Sequence, residues 1–300
     1  MLGYFGPAGT FTHQALLTLG DEEATPFDTV AAALDAVRDG TVRASVVPIE
    51  NSVEGGVSAT LDNLASADGL MIIREILLPV QFGLYVRPGT SLADIRKVLT
   101  HTHAAAQCRD WLRANLPQAV VTEGGSTAAA AAEVSDPASR YDAAVCAKVA
   151  GEMYGLEPAA YGIADNEGAV TRFVVVAPRA TPTERTEADK TTLVAYMHAD
   201  HPGALLEILE QFASRGVNLC RIESRPTKTT LGSYCFSIDA EGHILDSRMA
   251  EALMGLHRIC KDVVFLGSYP RADEVAPSIL RGSSDAEYAE AGEWLRSLRS

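Results

Sequence analysis

Short apolar runs alternate with alanine-rich amphipathic stretches through residues 1–178. Ala44–Pro48, Ile72–Ile73 before Pro79, Gly83–Val86, Val98–His101, Asp142–Val145 and Arg172–Ala177 predict strands. Thr29–Arg38, Ala104–Ala114 and Thr127–Val134 predict helices. Such alternation predicts a mostly parallel sheet with helices on its faces. Residues 178–190 break the rhythm. They are polar, contain Pro178 and Pro182, and show no apolar period, which predicts an interdomain linker.

A smaller unit follows. Strands are predicted at Thr192–His198, Val217–Ile222, Leu231–Asp239 and Val263–Gly267, and helices at Gly203–Ser214 and Met249–His257. The order βαββαβ is that of a ferredoxin-like split βαβ, an α+β fold. The tail from Arg271 is polar and predicts one short helix at Ala286–Leu298.

Composition narrows the function. The 300 residues are 47% hydrophobic and 21% charged, an ordinary globular balance that two domains share comfortably. The net charge of −14 argues against nucleic acid or an anionic membrane as partner, because both need a basic footprint. An anionic substrate must therefore be caught by local donors. The five cysteines are scattered with no C-x-x-C, so buried thiols in a reducing compartment are expected. No basic stretch precedes an apolar one at the N-terminus, and no apolar run reaches about 18 residues, so a cytoplasmic protein is expected.

Four segments sit where strands hand over to helices or loops, the usual place for ligands in open α/β sheets. They are Gly6–His13, Pro48–Ser52, Ser126-Thr127 and Thr171–Phe173. Helix-start N–H groups beside hydroxyls hold anions without net positive charge. Ser126 or Thr127 could equally be a plain N-cap. His13, His101, His198 and His201 form no arrangement of a nucleophile with its base. Glu50 and Glu54 lack the partners of a metal site, and no dinucleotide or Walker fingerprint occurs.

Together these segments resemble the prephenate dehydratase family. The resemblance rests on Tyr4–Thr12, Val47–Ser52, His101 with Gln107-Cys108, Ser126–Ala129, Tyr154–Leu156 and Thr171–Phe173, in family order. Pro202–Leu205 and Glu223–Pro226 resemble the two phenylalanine-binding motifs of the ACT domain that such enzymes carry. The resemblance implies a two-lobed catalytic domain like the type 2 periplasmic binding proteins over 1–178. Lobe 1 would take about 1–78 and 165–178, and lobe 2 about 79–164. An ACT regulatory domain would cover 190–270 and a tail 271–300. It implies conversion of prephenate to phenylpyruvate without cofactor or metal, regulation by L-phenylalanine, and a homodimer or homotetramer.

On this resemblance Thr171, Arg172, Asn51 and Gln107 are catalytic candidates, with Thr171 donating to the leaving hydroxyl. Arg172 either pairs with a substrate carboxylate or braces the cleft from behind. Glu50, which would repel a dianion, is expected to be structural and paired with a cation. Thr10, Ser52, Ser126, Thr127 and Phe173 are substrate-binding candidates, although Phe173 by residue type reads as core. Gly203, Ala204, Leu205, Asn218, Leu219, Glu223, Ser224, Arg225 and Pro226 would bind phenylalanine. Two positions depart from the family: Thr102 stands where proline is common, and Ala169 where asparagine is common. A preference for arogenate, with Asp165 facing its amino group, and a non-catalytic amino-acid sensor are the competing readings.

Overall fold

The computed structural model describes residues 1–66, 69–166, 168–198, 201–227 and 234–299. The chain opens with β1 (Leu2–Phe5), α1 (Phe11–Leu17), β2 (Ala24–Phe27), α2 (Val30–Arg38), β3 (Ser45–Asn51), β4 (Gly55–Gly56), α3 (Ser58–Ser66) and β5 (Leu70–Pro79). It continues through β6 (Gly83–Val86), β7 (Lys97–Thr100), α4 (Thr102–Gln107), α5 (Arg109–Asn115), β8 (Val120–Glu123), α6 (Thr127–Ser135), β9 (Ala143–Cys146), α7 (Lys148–Met153), β10 (Glu157–Tyr161) and β11 (Val170–Pro178). The remainder is β12 (Asp189–Tyr196), α8 (Ala204–Ala213), β13 (Leu219–Pro226), β14 (Tyr234–Glu241), α9 (Ser247–Ile259), β15 (Asp262–Pro270) and α10 (Asp285–Ser297). The predicted strand start at 231–233 lies outside the described residues. No helix among them is long and apolar enough to cross a membrane.

Three sheets form. The first has the order β2-β1-β3-β11-β5, with β1 parallel to both neighbours. The second has the order β10-β6-β9-β7-β8. Here the expectation of a mostly parallel sheet needs correcting. β7 is parallel to β8 and β9, but β6 is antiparallel to β9 and β10. β6 enters directly from the chain crossing rather than through a crossover helix, so it runs against its neighbour. Both faces of this sheet are covered, as parallel strands require. Leu84 and Val86 of β6 face one core with Val98, Ala104 and Leu112, while Tyr85 between them faces a second with Leu99, Ala128 and Val134. Two chain segments join these lobes side by side: Val80 N–H donates to Ala169 O at 2.8 Å, and Ile163 N–H to Phe82 O at 3.1 Å.

The single helix predicted at Ala104–Ala114 is two, α4 and α5, divided at Cys108 (φ −118°, ψ 14°). The cause is Asp165. Its N–H donates to Gln107 O at 2.7 Å, and its carboxylate accepts from Asp110 N–H and Trp111 N–H at 3.1 and 3.2 Å. A strand-to-strand loop thus supplies both a donor and an acceptor at the junction between the helices.

The chain divides into two compact units, residues 1–57 with 76–173 and residues 58–75 with 174–300. Residues 58–75, which the sequence motifs place in the first domain, therefore count with the C-terminal unit. In that unit the third sheet, β13-β14-β12-β15, packs one face on α8 and α9 around Leu193, Phe212, Ile238, Met249 and Leu256. The opposite face is polar and largely buried. Arg221 Nε donates to Asp239 at 2.9 Å, Arg225 pairs with Asp62 at 2.8 Å, and Lys190 pairs with Glu75 at 2.8 Å. The stretch expected to be a linker has no helix or strand from Arg179 to Ala188, yet it is fastened. Arg179 N–H donates to Gly69 O at 2.7 Å, and Thr183 Oγ1 to Ser268 O at 2.8 Å.

Candidate active site

The end of β3 and the start of β11 are locked together. Ser52 N–H donates to Val170 O, and Val170 N–H donates to Ser52 Oγ, both at 2.9 Å. This lock brings Asn51 against Thr171, and Asn51 Nδ2 donates to Thr171 Oγ1 at 2.8 Å. The amide cannot be turned over. Its Oδ1 already accepts from Val53 N–H at 2.8 Å and Glu54 N–H at 3.2 Å, which fixes the NH2 end toward the threonine. Thr171 is 8% exposed. Its oxygen accepts from Asn51, so its own O–H proton is left for another acceptor.

Strand alternation sorts the rest of the motif. Glu50 and Arg172 lie on the face opposite Asn51 and Thr171, and pair there with Arg172 Nη1 3.5 Å from Glu50 Oε2. Arg172 is 5% exposed, and its guanidinium lies with Glu50 on the face away from Asn51 and Thr171. Phe173 is 1% exposed and belongs to the core. Ser52 serves the lock itself.

In front of Asn51 opens a cleft of about 710 Å³, lined among others by Glu54, Gly55, Thr102, His103, Gln107 and Asp165. Gln107 reaches it from α4. Glu54 comes from the β3–β4 turn and accepts from Gln107 Nε2 at 3.3 Å, while also meeting His103 Nδ1. Asp165, weighed as a partner for a substrate amine, is committed to the backbone N–H groups at the start of α5. Cys108, next to Gln107, is fully buried, and burial with the nearby Asp165 pushes its thiol up to about 12, so it is no nucleophile.

Thr10, Ser126 and Thr127 fall outside this lining and form a second group. Thr10 caps α1, accepting from His13 N–H, and Ser126 caps α6, accepting from Ala129 N–H at 3.0 Å. Thr127 is the first residue of α6. Gly9 brings the two helix starts together. A side-chain carbon on it would lie 3.3 Å from both Ala128 and Ala150, and its φ of +86° is one that other residues rarely adopt. Among the described residues no group of three or more His, Cys, Asp or Glu could hold a metal.

In the C-terminal unit, Gly203 caps α8 at φ +95° with open space around its α-carbon. Leu205 is 40% exposed on the first turn. Asn218 immediately precedes β13 and Leu219 begins it, beyond the far end of α8. That helix has ten residues and spans about 15 Å. Glu223 and Arg225 point to the polar reverse face, where both join the ion pairs of Arg221 and Asp62. Ser224 and Pro226 are exposed on the helix side of β13.

A two-lobed α/β domain with a polar cleft beside its crossing strands, followed by a βαββαβ unit with an open helix start, is the form of an enzyme acting on a small polar molecule under ligand control. The comparisons give the family. The family model for prephenate dehydratase matches residues 2–181, and that for the ACT domain matches residues 191–258. The prephenate dehydratase of Amycolatopsis methanolica is 46% identical over 99% of this chain and 97% of its own. The crystal structure of prephenate dehydratase from Arthrobacter aurescens in complex with L-Phe is 51% identical, with a TM-score of 0.94 over 99% of this chain and 98% of that one. A structure described as a novel type of quorum-quenching acylase, GqqA, is 31% identical with a TM-score of 0.82 over 90% and 97%. The chain belongs to the prephenate dehydratase family and carries that family's C-terminal ACT domain.

His103 and the cleft role of Glu54 escaped the motif reading. The available signal was spacing: His103 and Gln107 are four apart on one helix and so share a face.

Proposed function

We propose that the Asn51–Thr171 couple carries the family reaction, loss of carbon dioxide and water from prephenate to give phenylpyruvate. The electrons of the breaking C–C bond enter the ring, the ring hydroxyl leaves as hydroxide and takes one proton from solvent to become water, and aromatisation drives both. The leaving oxygen needs a donor as its charge develops, and preorganised donors aimed at developing charge are usually the largest catalytic contribution. Thr171 is that donor. A threonine is too weak an acid to give its proton away, so it hydrogen-bonds the departing oxygen. The observation that carries this reading is the 2.8 Å bond from Asn51 Nδ2 to Thr171 Oγ1, because a hydroxyl that accepts one hydrogen bond donates the next more strongly. The substrate carboxylates are taken by Gln107 and by the N–H groups and hydroxyls at the start of α6, with Thr10 alongside. The dehydratase reading is preferred to acyl hydrolysis because the family model and the relatives at 46% and 51% identity agree on it.

L-Phenylalanine is the effector, held at Gly203–Leu205 and at Asn218 and Leu219. These two sets lie at opposite ends of α8, about 15 Å apart. One amino acid cannot touch both in a single chain, which supports a homodimer or homotetramer in which two chains complete each site. The enzyme works in the cytoplasm.

Thr171→Val keeps the side-chain shape and deletes the hydroxyl. Turnover of prephenate should fall on the order of 100- to 1,000-fold with the circular dichroism spectrum unchanged. A loss below about fivefold in a folded variant removes Thr171 from the reaction. Parallel assays with arogenate decide between the two substrates.

A further inference from the structure

We propose that Glu54 and His103 form a charge-compensated clasp across the cleft, one that orients Gln107 and cancels a carboxylate that would otherwise repel the dianionic substrate. The inference rests on the cleft assigned above and deepens it.

Two carboxylates line a cleft that receives an anion, in a chain whose net charge is already −14. Each must be neutralised where it stands. Asp165 is neutralised by two backbone N–H groups at the start of α5. Glu54 has no helix start to serve it. Its backbone N–H is already used in holding Asn51, and its carboxylate looks across the cleft to α4. There Oε1 meets two side chains on one helical face, His103 Nδ1 and Gln107 Nε2. Glu54 belongs to the turn after β3 in one lobe, and His103 and Gln107 to the other lobe, so the contact spans the two.

His103, not the neighbouring His101, is the imidazole that meets Glu54. The neighbouring ring, His101, stacks on it with centroids 5.0 Å apart. His101 spends its Nδ1 as an acceptor for His103 N–H at 3.3 Å, and burial together with His103 lowers its proton affinity. His101 is thus turned to the start of α4, and the ring that faces the Glu54 carboxylate is His103. Gln107 gains an orientation from the same contact. With one N–H of its amide held by Glu54, the carbonyl end and the second N–H are presented in a fixed direction. Glu54 and His103 are positioning residues, and neither is placed on the reacting atoms.

The test separates charge from shape through KM and kcat. His103 is exposed, with its side chain 56% accessible, so its replacement should leave folding intact. His103→Ala leaves Glu54 uncompensated, and KM for prephenate should rise about tenfold or more while kcat stays within about threefold. His103→Lys restores a cation and should keep KM near the wild-type value. Glu54→Gln added to His103→Ala removes the stranded charge, and KM should return to within about threefold of wild type. An unchanged KM in His103→Ala overturns the clasp, and so does a double variant no better than His103→Ala. Thr171→Val serves as the reference. If it turns over normally, the cleft itself is misassigned. If it is impaired while His103→Ala is not, only the clasp fails.

Discussion

A ring nitrogen that caps a helix as an acceptor cannot also carry a proton. His101 Nδ1 accepts from His103 N–H at the start of α4, and burial, with His103 as a second cause, lowers its proton affinity. The folded state therefore binds this proton later than the unfolded chain does. On acidification the unfolded chain is protonated first, through about pH 6.5, and stability is lost from there down to the lower folded value. His13 adds to the trend for the same reason, burial, with its Nδ1 accepting from Gly9 N–H at 3.1 Å. His101→Asn keeps a cap acceptor that does not titrate, so its melting temperature should fall less than that of wild type between pH 7.5 and 5.5. Equal slopes in thermal scans would exclude His101 from the effect. At this scale the motif residues were legible. Asn51 and Thr171, both named from the motifs, are hydrogen-bonded to each other, and strand alternation puts Glu50 and Arg172 on the opposite face. The Glu54–His103 contact was not legible, because it depends on how α4 faces a turn 50 residues earlier in the chain.

Elements with strong periodicity were readable, and those shaped by neighbours were not. Gly83–Val86 was predicted with its observed ends, whereas β2, β8 and β10 were missed. β2 and β8 are short, half-exposed edge strands, and β10 carries Pro158 beside a bulge. The break between α4 and α5 comes from Asp165, far along the chain, which no local pattern encodes. The clearest case is Lys190 at the start of β12. In sequence it closes a polar linker, yet it is 7% exposed and bound to Glu75 of β5, itself 3% exposed, whose Oε1 also accepts from Ala272 N–H at 2.9 Å. Removing one partner of a buried pair strands the other. Lys190→Met should cost on the order of 3–5 kcal/mol in urea unfolding. Adding Glu75→Gln should recover much of that, because the glutamine is neutral and still accepts from Ala272. A double variant as unstable as Lys190→Met would show that the pair acts through packing and not charge.

At the scale of the molecule, the regulatory reading makes ligand binding a property of more than one chain. Calorimetric titration of the full chain with L-phenylalanine should give saturable binding. Asn218→Ala and Leu205→Ser should each abolish it, although the two positions lie about 15 Å apart in one chain. Mixing the two variants in equal amounts should then restore binding at up to about half of the mixed-interface sites, as expected when each chain supplies one half of a site. No binding by wild type, or no recovery in the mixture, would reject that arrangement. The unit that would hold this ligand is not contiguous. It takes in residues 58–75, which contribute Asp62 and Glu75 to the polar face of the third sheet and Gly69 to the anchor of Arg179. Gene architecture would suggest that a regulatory domain can be exchanged at the 178–190 seam like a cartridge. Cutting there, however, leaves behind the counter-charges for Arg225 and Lys190 and carries off their partners. A chimera joining this chain's C-terminal half to a relative's N-terminal half would turn the Arg225 and Lys190 side chains toward a foreign segment. A workable graft must carry 58–75 along with 174–300, so recombination within this family should tolerate seams that respect the folded unit and reject those that follow the domain order in the sequence.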